Sequence, residues 1–461
     1  MVVGYLAAAL IVIPLVLAFF SPLLLICLAL STGVLPLALG PDGLLASDFG
    51  RLDLYSIRVF GLWLASMLLI VPSFSRLLDY SVRFRWHLAF LFFAVMAMIW
   101  SPSLLYGARM VAKLSAPFLF LLLVLVSISS WTALRSMERA MFFSGILAVV
   151  ISLGAVVAGY VTVNSSVGLG IPGLGPAGTS AHLAILAMLA LAAARTRAIP
   201  VVYVVIALCF GAAVIAGFTR ITIAGLFLGV TVVLWVSGSG WFRWVLPLAG
   251  VASIPALFIF SETFRRRMFK NQDGISLDML THDPAAALDQ IHGSGRFDHW
   301  AYVMKTFFEP NPVFGSGVGT TQHYFYTHQL GLSVIHSEYV RLLAEVGLFG
   351  VGLLVLAVIA YMVRLRRNFL LAKTIQTKTY ALAGLGSLVV YLTFMATDNA
   401  IDYVTSSGIY VFCLIAMSEK ARDLEAAQVA GDQVEAVRID PSSAAGTGTM
   451  PSRRYPILAW K

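Results

Sequence analysis

Charge and cysteine are scarce in this sequence. Only 11% of its 461 residues are charged, and its three cysteines, Cys27, Cys209 and Cys413, lie scattered through apolar runs. They have neither metal-ligand spacing nor the density of a disulfide scaffold, so those two classes drop out and the cysteines read as small core residues. With 59% hydrophobic residues, the chain exceeds the apolar content of soluble domains and must use lipid as its solvent. Met1 is not followed by a basic start and a small-residue cleavage site, so the first apolar segment is expected to be retained. No internal repeat and no nameable amphipathic surface helix emerge. The formal charge of +9 does not signal nucleic acid, because Lys and Arg sit at the ends of apolar segments instead of on a soluble basic face.

What is present is a series of apolar segments. Residues 2–40 are apolar apart from Pro14, Pro22 and Pro36, enough for one or two spans. Further candidates lie at 54–72, 86–101, 104–128, 140–163, 179–195, 199–217, 220–237, 242–261, 338–363, 378–397 and 404–418. Each approaches the roughly 20 residues that a helix needs to cross about 30 Å of hydrocarbon. The expectation is an all-α, polytopic protein of 12–13 spans: a transmembrane domain over 1–420, a long loop at 262–335 inserted within it, and a tail at 421–461 too polar to fold alone. Basic residues collect at Arg76, Arg83 and Arg85, at Arg135 and Arg139, at Arg195 and Arg197, and from Arg364 to Lys378. Counting spans puts all four groups on one side, the cytoplasm by the positive-inside rule, and the 262–335 loop on the other.

Arg58, Arg109, Lys113 and Arg220 then fall in the outer halves or at the outer ends of their spans, in stretches that offer almost no acidic partner. Arg109 and Lys113 are four apart and share a helix face. Such charges ask for an anion from elsewhere, a lipid phosphate or diphosphate. Snorkelling of long side chains to the headgroups is the competing account, strongest for Arg58. The run from Phe264 to Lys270, with Arg265 as a substrate-binding candidate, continues the pattern; headgroup binding accounts for it equally well.

Within the loop, a helix from Arg296 to about Phe308 is expected to stop at Pro310 and Pro312. Trp300, Val303, Met304 and Phe307 form an apolar stripe that should dock on the membrane domain. Arg296 at its first turn reads as a phosphate or sugar ligand, or as the ion-pair partner of Asp298 or Asp289. The glycines of FGSGVGT, Gly315, Gly317 and Gly319, lack a preceding strand and a Walker lysine, so they read as tight turns and not as a nucleotide loop. His336 precedes a helix that Ser337 caps. Glu338, Arg341 and Glu345 follow on one face, with Arg341 able to pair with either carboxylate, a ladder that orients His336 at the mouth of a cavity. An imidazole there can take a proton from an attacking hydroxyl; alternatively, His336 is only a helix-start residue bonded to a carbonyl. His323 and His328 bring no HExxH pattern or cysteine partners, and no DxD pair is present, so no metal or cofactor is expected; Asp398 and Asp402 are a weak exception.

The segment HSEYVRLLAEVGLFG, preceded by GRFDHWAYVMKTFFEPNPVFGSGVGT and by Thr219-Arg220, resembles the O-antigen ligase and Wzy O-antigen polymerase superfamily. The likeness in motifs spans about residues 200–365. It implies a bacterial inner-membrane protein of the GT-C type that takes a glycan from undecaprenyl diphosphate at the periplasmic face and transfers it to an acceptor hydroxyl, a glycan repeat or a lipid A core, without metal or nucleotide sugar. It also implies flippase or chain-length regulator partners. Arg220, Arg296 and His336 match the family's two arginines and histidine, with Ser337 where Asn is frequent; the arginines are expected to hold the diphosphate and His336 to activate the acceptor. Trp300, Tyr324, Phe325 and Tyr326 offer faces for sugars. Polymerisation is favoured over ligation. A transporter or flippase is the alternative of another class, disfavoured because no paired halves appear.

Overall fold

The computed structural model describes residues 21–35, 46–47, 50–51, 54–161, 168–238, 296–328 and 335–439, together with Ile13, Val16 and Trp244. Among these the chain is all-helical apart from a minimal hairpin, Ala46–Ser47 against Gly50–Arg51. The helices are α1 (Pro22–Thr32), α2 (Leu54–Ile70), α3 (Phe74–Arg83), α4 (Arg85–Met96), α5 (Leu104–Ser127), α6 (Trp131–Val157), α7 (Gly175–Thr196), α8 (Pro200–Ala216) and α9 (Arg220–Ser237). After the loop come α10 (Arg296–Val303), α11 (Thr320–Thr327), α12 (Glu338–Leu371), α13 (Ile375–Phe394) and α14 (Ile409–Ile439). Six of the described helices are long and apolar enough to cross a membrane, seven if the bent pair at the end of α2 counts as one, and three shorter apolar helices accompany them. The protein is a multi-spanning, all-helical membrane protein.

Most of these helices follow the expected apolar segments, but α6 (Trp131–Val157 against 140–163), α12 (Glu338–Leu371 against 338–363) and α14 (Ile409–Ile439 against 404–418) do not keep the expected bounds, and the expected count of 12–13 is not reached among the described residues. The 242–261 candidate and most of the first twenty residues lie outside them. The 86–101 candidate is helical only as Arg85–Met96, 12 residues, roughly 18 Å of rise. The expectation that no amphipathic surface helix exists is corrected by α3. That helix turns 109° from α2, exposes Leu78 and Val82, and turns Tyr80 and Arg83 inward to Asp423. Ten residues were too few for its periodicity to stand out.

α5, α7 and α14 form the centre of the bundle and are mostly buried, whereas α6, α9 and α12 keep outward apolar faces. Lipid is as apolar as leucine, so helix contacts rest on close approach of small side chains. A Cβ at Gly229 of α9 would stand 2.8 Å from Met188 Sδ and 3.1 Å from the Gly386 carbonyl, which fixes α9 between α7 and α13. Pro117, inside α5, packs against Gly408, the residue before α14. Of the cysteines, Cys413 is buried, Cys27 half-buried and Cys209 exposed on the outer face of α8.

The four basic groups lie at one end of the bundle. There Arg83 pairs with Asp423 at 2.9 Å, Arg364 with Glu419 at 2.6 Å and Arg197 with Glu138 at 2.7 Å. The start of the tail is helical: α14 continues through Ile439, and the Glu425 carboxylate accepts the backbone N–H groups of Lys373 and Thr374. This part of the polar segment extends a buried helix, with Glu425 seated between α12 and α13; residues 440–461 lie outside the described residues. The opposite end carries residues 296–328 and 335–338 and the turn after α13.

Candidate functional site

His336 stands at that opposite end, two residues before α12. Ser337 caps the helix, its hydroxyl accepting the Val340 N–H at 3.4 Å. His336 itself has φ 55°, a left-handed conformation that costs a β-substituted residue free energy and persists only where several contacts impose it. Those contacts are present. Its backbone N–H donates to Asn399 Oδ1 at 3.0 Å, and the preceding carbonyl, Ile335 O, accepts the Trp300 indole N–H at 2.9 Å. The imidazole is about one-third exposed, with Nδ1 3.9 Å from Asp398 Oδ1 and 3.4 Å from Asn399 Nδ2.

The turn after α13, residues 395–402, organises the whole end. The Met395 carbonyl accepts the Glu338 N–H at 2.9 Å, and the Ile401 N–H donates to Glu338 Oε1 at 2.9 Å. The Thr397 carbonyl accepts Arg296 Nη1 at 2.7 Å, so Arg296 is tied to the residue before Asp398. Asp402 takes Lys113 Nζ at 2.5 Å and lies 3.6 Å from Arg341 Nη2. Arg341 pairs with Glu338 at 3.0 Å, and Arg109, one turn before Lys113, adds positive charge near Asp402. Glu338, Arg341 and Lys113 are all buried, so each charge depends on the others. This corrects the reading of Lys113: its acidic partner exists, 289 positions away.

Glu345 joins a different assembly. α12 breaks at Gly347, whose φ 62° and ψ −172° belong to a region that essentially only glycine occupies. The FGSGVGT loop fills the break. The freed carbonyls of Ala344 and Glu345 accept the N–H groups of Ser316 and Gly317 at 2.8 and 3.0 Å, and the freed N–H groups of Leu348 and Phe349 donate to Pro312 and Val313 at 2.9 and 3.0 Å. The Glu345 carboxylate accepts the Gly319 N–H at 2.8 Å and both the N–H and the hydroxyl of Thr321. The loop does cradle a carboxyl group, and the carboxyl group is the protein's own. Gly315, Gly317 and Gly319 all have positive φ, as tight turns require.

The remaining expected residues divide. Arg220 opens α9 and is half-buried. Gly225 of the same helix lies beside Val390 and Thr393 of α13, so the antiparallel register puts Arg220 level with the residues that follow Phe394. The docking stripe holds: Val303 and Phe307 bury with Phe325, Ile335 and Ala344, and Trp300, Tyr324 and Val340 pack on them. Trp300 thus spends its N–H supporting Ile335. Tyr324 stacks on His328 with ring centroids 4.0 Å apart and shares a 2.7 Å hydrogen bond with Tyr302, which pushes its phenol above the ordinary value. His323 sits 5.4 Å from the Tyr106 ring, and Tyr326 is exposed. Asp298 is exposed and makes no ion pair among the described residues. Arg58 donates to Thr32 Oγ1 at 2.9 Å. Arg265 and Asp289 lie outside the described residues. The residues missed at first are Thr397 and Asn399, polar groups in a short connection whose role shows only once His336 and Arg296 are seen to lean on it.

The structure therefore defines a class: a multi-spanning helical membrane protein with a buried charge network and a histidine at the end remote from its basic connections. No protein-family model matches the chain, and no curated protein matches it.

Proposed function

We propose that this protein transfers a glycan from a polyprenyl diphosphate carrier to an acceptor hydroxyl at the membrane face opposite its basic connections, the periplasmic face of a bacterial inner membrane. The observation that carries the reading is the convergence of His336 and Arg296, 40 positions apart in sequence, on three successive residues of one turn, Thr397, Asp398 and Asn399. Those two residues and Arg220 are the three that the resemblance to the O-antigen ligase and polymerase superfamily singles out.

In the mechanism, Arg296 and Arg220 offer guanidinium donors to the diphosphate, whose negative charge grows as the anomeric carbon–oxygen bond breaks. Arg296 has one Nη committed to Thr397, which fixes the plane of its fork and leaves other N–H groups for phosphate oxygens. His336 accepts the proton of the attacking hydroxyl through Nε2, which requires the other nitrogen, Nδ1, to carry hydrogen and face Asp398. The present 3.9 Å is longer than a hydrogen bond, and Nδ1 instead stands 3.4 Å from the Asn399 Nδ2 donor; a ring rotation that leaves this donor and closes on Asp398 by about 1 Å gives the oriented base, a tightening that substrate binding commonly supplies. Single displacement inverts the anomeric configuration.

Transport fits less well. Transporters use broken helices whose freed backbone groups meet an ion or substrate, whereas the break in α12 has its nearest freed groups taken by the glycine loop. Proteoliposomes holding a labelled lipid-linked glycan separate the readings. A new glycosidic bond with inverted configuration is expected; label crossing the bilayer with no new bond would overturn the proposal. Between acceptors, a lipid-linked repeat is favoured over a lipid A core. A deletion strain is expected to leave single-repeat glycan on its lipopolysaccharide, and full-length polymer stranded on its carrier would instead identify a ligase.

A further inference from the structure

The bundle holds a cavity of about 320 Å³ at its other end, lined by Arg135, Arg197, Ala198, Ile375 and Gln376. Three sources of positive potential meet there. Arg135 on α6 is exposed and makes no ion pair or hydrogen bond among the described residues. Arg197 follows α7 and is anchored from behind: its Nη2 donates to Glu138 Oε2 and its Nη1 to the Tyr203 hydroxyl, both at 2.7 Å. That uses two of its five N–H groups and leaves the others for the cavity side. Ile375 and Gln376 are the first two residues of α13; the hydroxyl of the N-cap Thr374 accepts the N–H of Thr377, the third, and shares a 2.8 Å hydrogen bond with the Thr377 hydroxyl. The first N–H groups of a helix have no partner within it, and they carry the positive end of its dipole.

Two carboxylates stand near, and both are already taken. Glu425 accepts the N–H groups of Lys373 and Thr374 and pairs with Arg422 at 2.6 Å. Glu138 is buried, and the oxygen it gives Arg197 also accepts the Tyr380 hydroxyl at 2.9 Å. Its role is to hold Arg197 at the wall. Two guanidiniums and a helix N-terminus around a space of this size fit a phosphate ester, with the apolar side chain of Ile375, half exposed at the rim, available to whatever the ester carries.

We propose that this cavity binds a phosphate ester at the basic end of the bundle, either the headgroup of an anionic lipid or a soluble ester. The site is independent of the His336 end and does not rest on glycan transfer.

The test uses the full chain in phosphatidylcholine nanodiscs, followed by thermal unfolding. One arm raises the fraction of phosphatidylglycerol, and the other adds glycerol 3-phosphate. Wild type and Arg366→Ala, which removes an exposed cation of α12 outside the cavity, should be stabilised alike. Arg135→Ala should need at least about fivefold more ligand for the same rise, the worth of one surface cation, and Gln376→Glu should abolish the rise. Saturation in the lipid arm alone identifies a headgroup, and saturation in the soluble arm a free ester. If neither ligand saturates, or if Arg135→Ala and Gln376→Glu respond like Arg366→Ala, the proposal is wrong.

Discussion

The backbone N–H of His336 donates to the side-chain oxygen of Asn399 at 3.0 Å, across 63 positions of sequence. This bond, with the Trp300 bond to Ile335, holds the histidine in a left-handed conformation that the chain would otherwise leave. In the proposed transfer, Asn399 is therefore a positioning residue. Asn399→Ala should lower glycan-transfer turnover by roughly 10- to 100-fold, as a displaced group does, with donor KM little changed and the pH profile of turnover altered. Unchanged turnover with normal folding would show that His336 keeps its place without this bond.

The Lys113–Asp402 pair sits in the same network but serves the fold. Removing one partner of a buried ion pair strands the other, at a cost of about 3–5 kcal/mol. Lys113→Met should sharply lower the thermal midpoint of the purified protein. The double variant Lys113→Met with Asp402→Asn should recover at least half of that loss, because Arg341 keeps Glu338 at 3.0 Å. A single variant as stable as wild type would place Lys113 outside the network.

Gly347 offers a contrast with Gly352, five residues on in the same helix. A Cβ at Gly347 would stand 2.4 Å from the Val313 carbonyl and occupy a forbidden backbone region, whereas at Gly352 it meets nothing within 4 Å. Gly347→Ala should destabilise by about 2 kcal/mol or more and raise amide exchange in the 312–321 loop. Gly352→Ala should cause no loss. Equal midpoints for the two variants would mean that the break in α12 is not what holds the loop.

Periodicity and charge placement made much of this legible beforehand. Apolar runs marked most helices to within a few residues, Ser337 was readable as a cap, and the His336–Glu345 stretch stood out because ionisable side chains cost too much in lipid to be idle. What stayed hidden was pairing over distance. Nothing local to Lys113 reveals Asp402, and nothing local to Arg296 reveals that the Thr397 carbonyl, 101 positions on, will fix it. Glu345 looked like one rung of a charged ladder because i, i+3 and i+7 share a helix face. The break at Gly347 and the insertion of the glycine loop gave its carboxylate to Gly319 and Thr321 instead. The attachment of the first tail residues to the bundle is hidden for a related reason: their polarity is plain, but the N–H groups awaiting Glu425 belong to Lys373 and Thr374, some fifty residues earlier.

The division of labour between His336 and the arginines is the central claim, and donor binding and product formation measured on the same purified samples test it most directly. With a lipid-linked glycan donor, His336→Gln should bind donor normally and turn over roughly 10²–10⁴ times more slowly, the usual worth of a positioned acid–base group. Replacing both Arg220 and Arg296 by Ala should abolish donor binding, and Arg220→Lys should weaken it although the charge is kept, because the planar fork is lost. If His336→Gln lost donor binding as completely as the double arginine variant, while its residual turnover kept the wild-type pH dependence, the histidine would be a phosphate ligand or a structural residue, and the general-base account would fail.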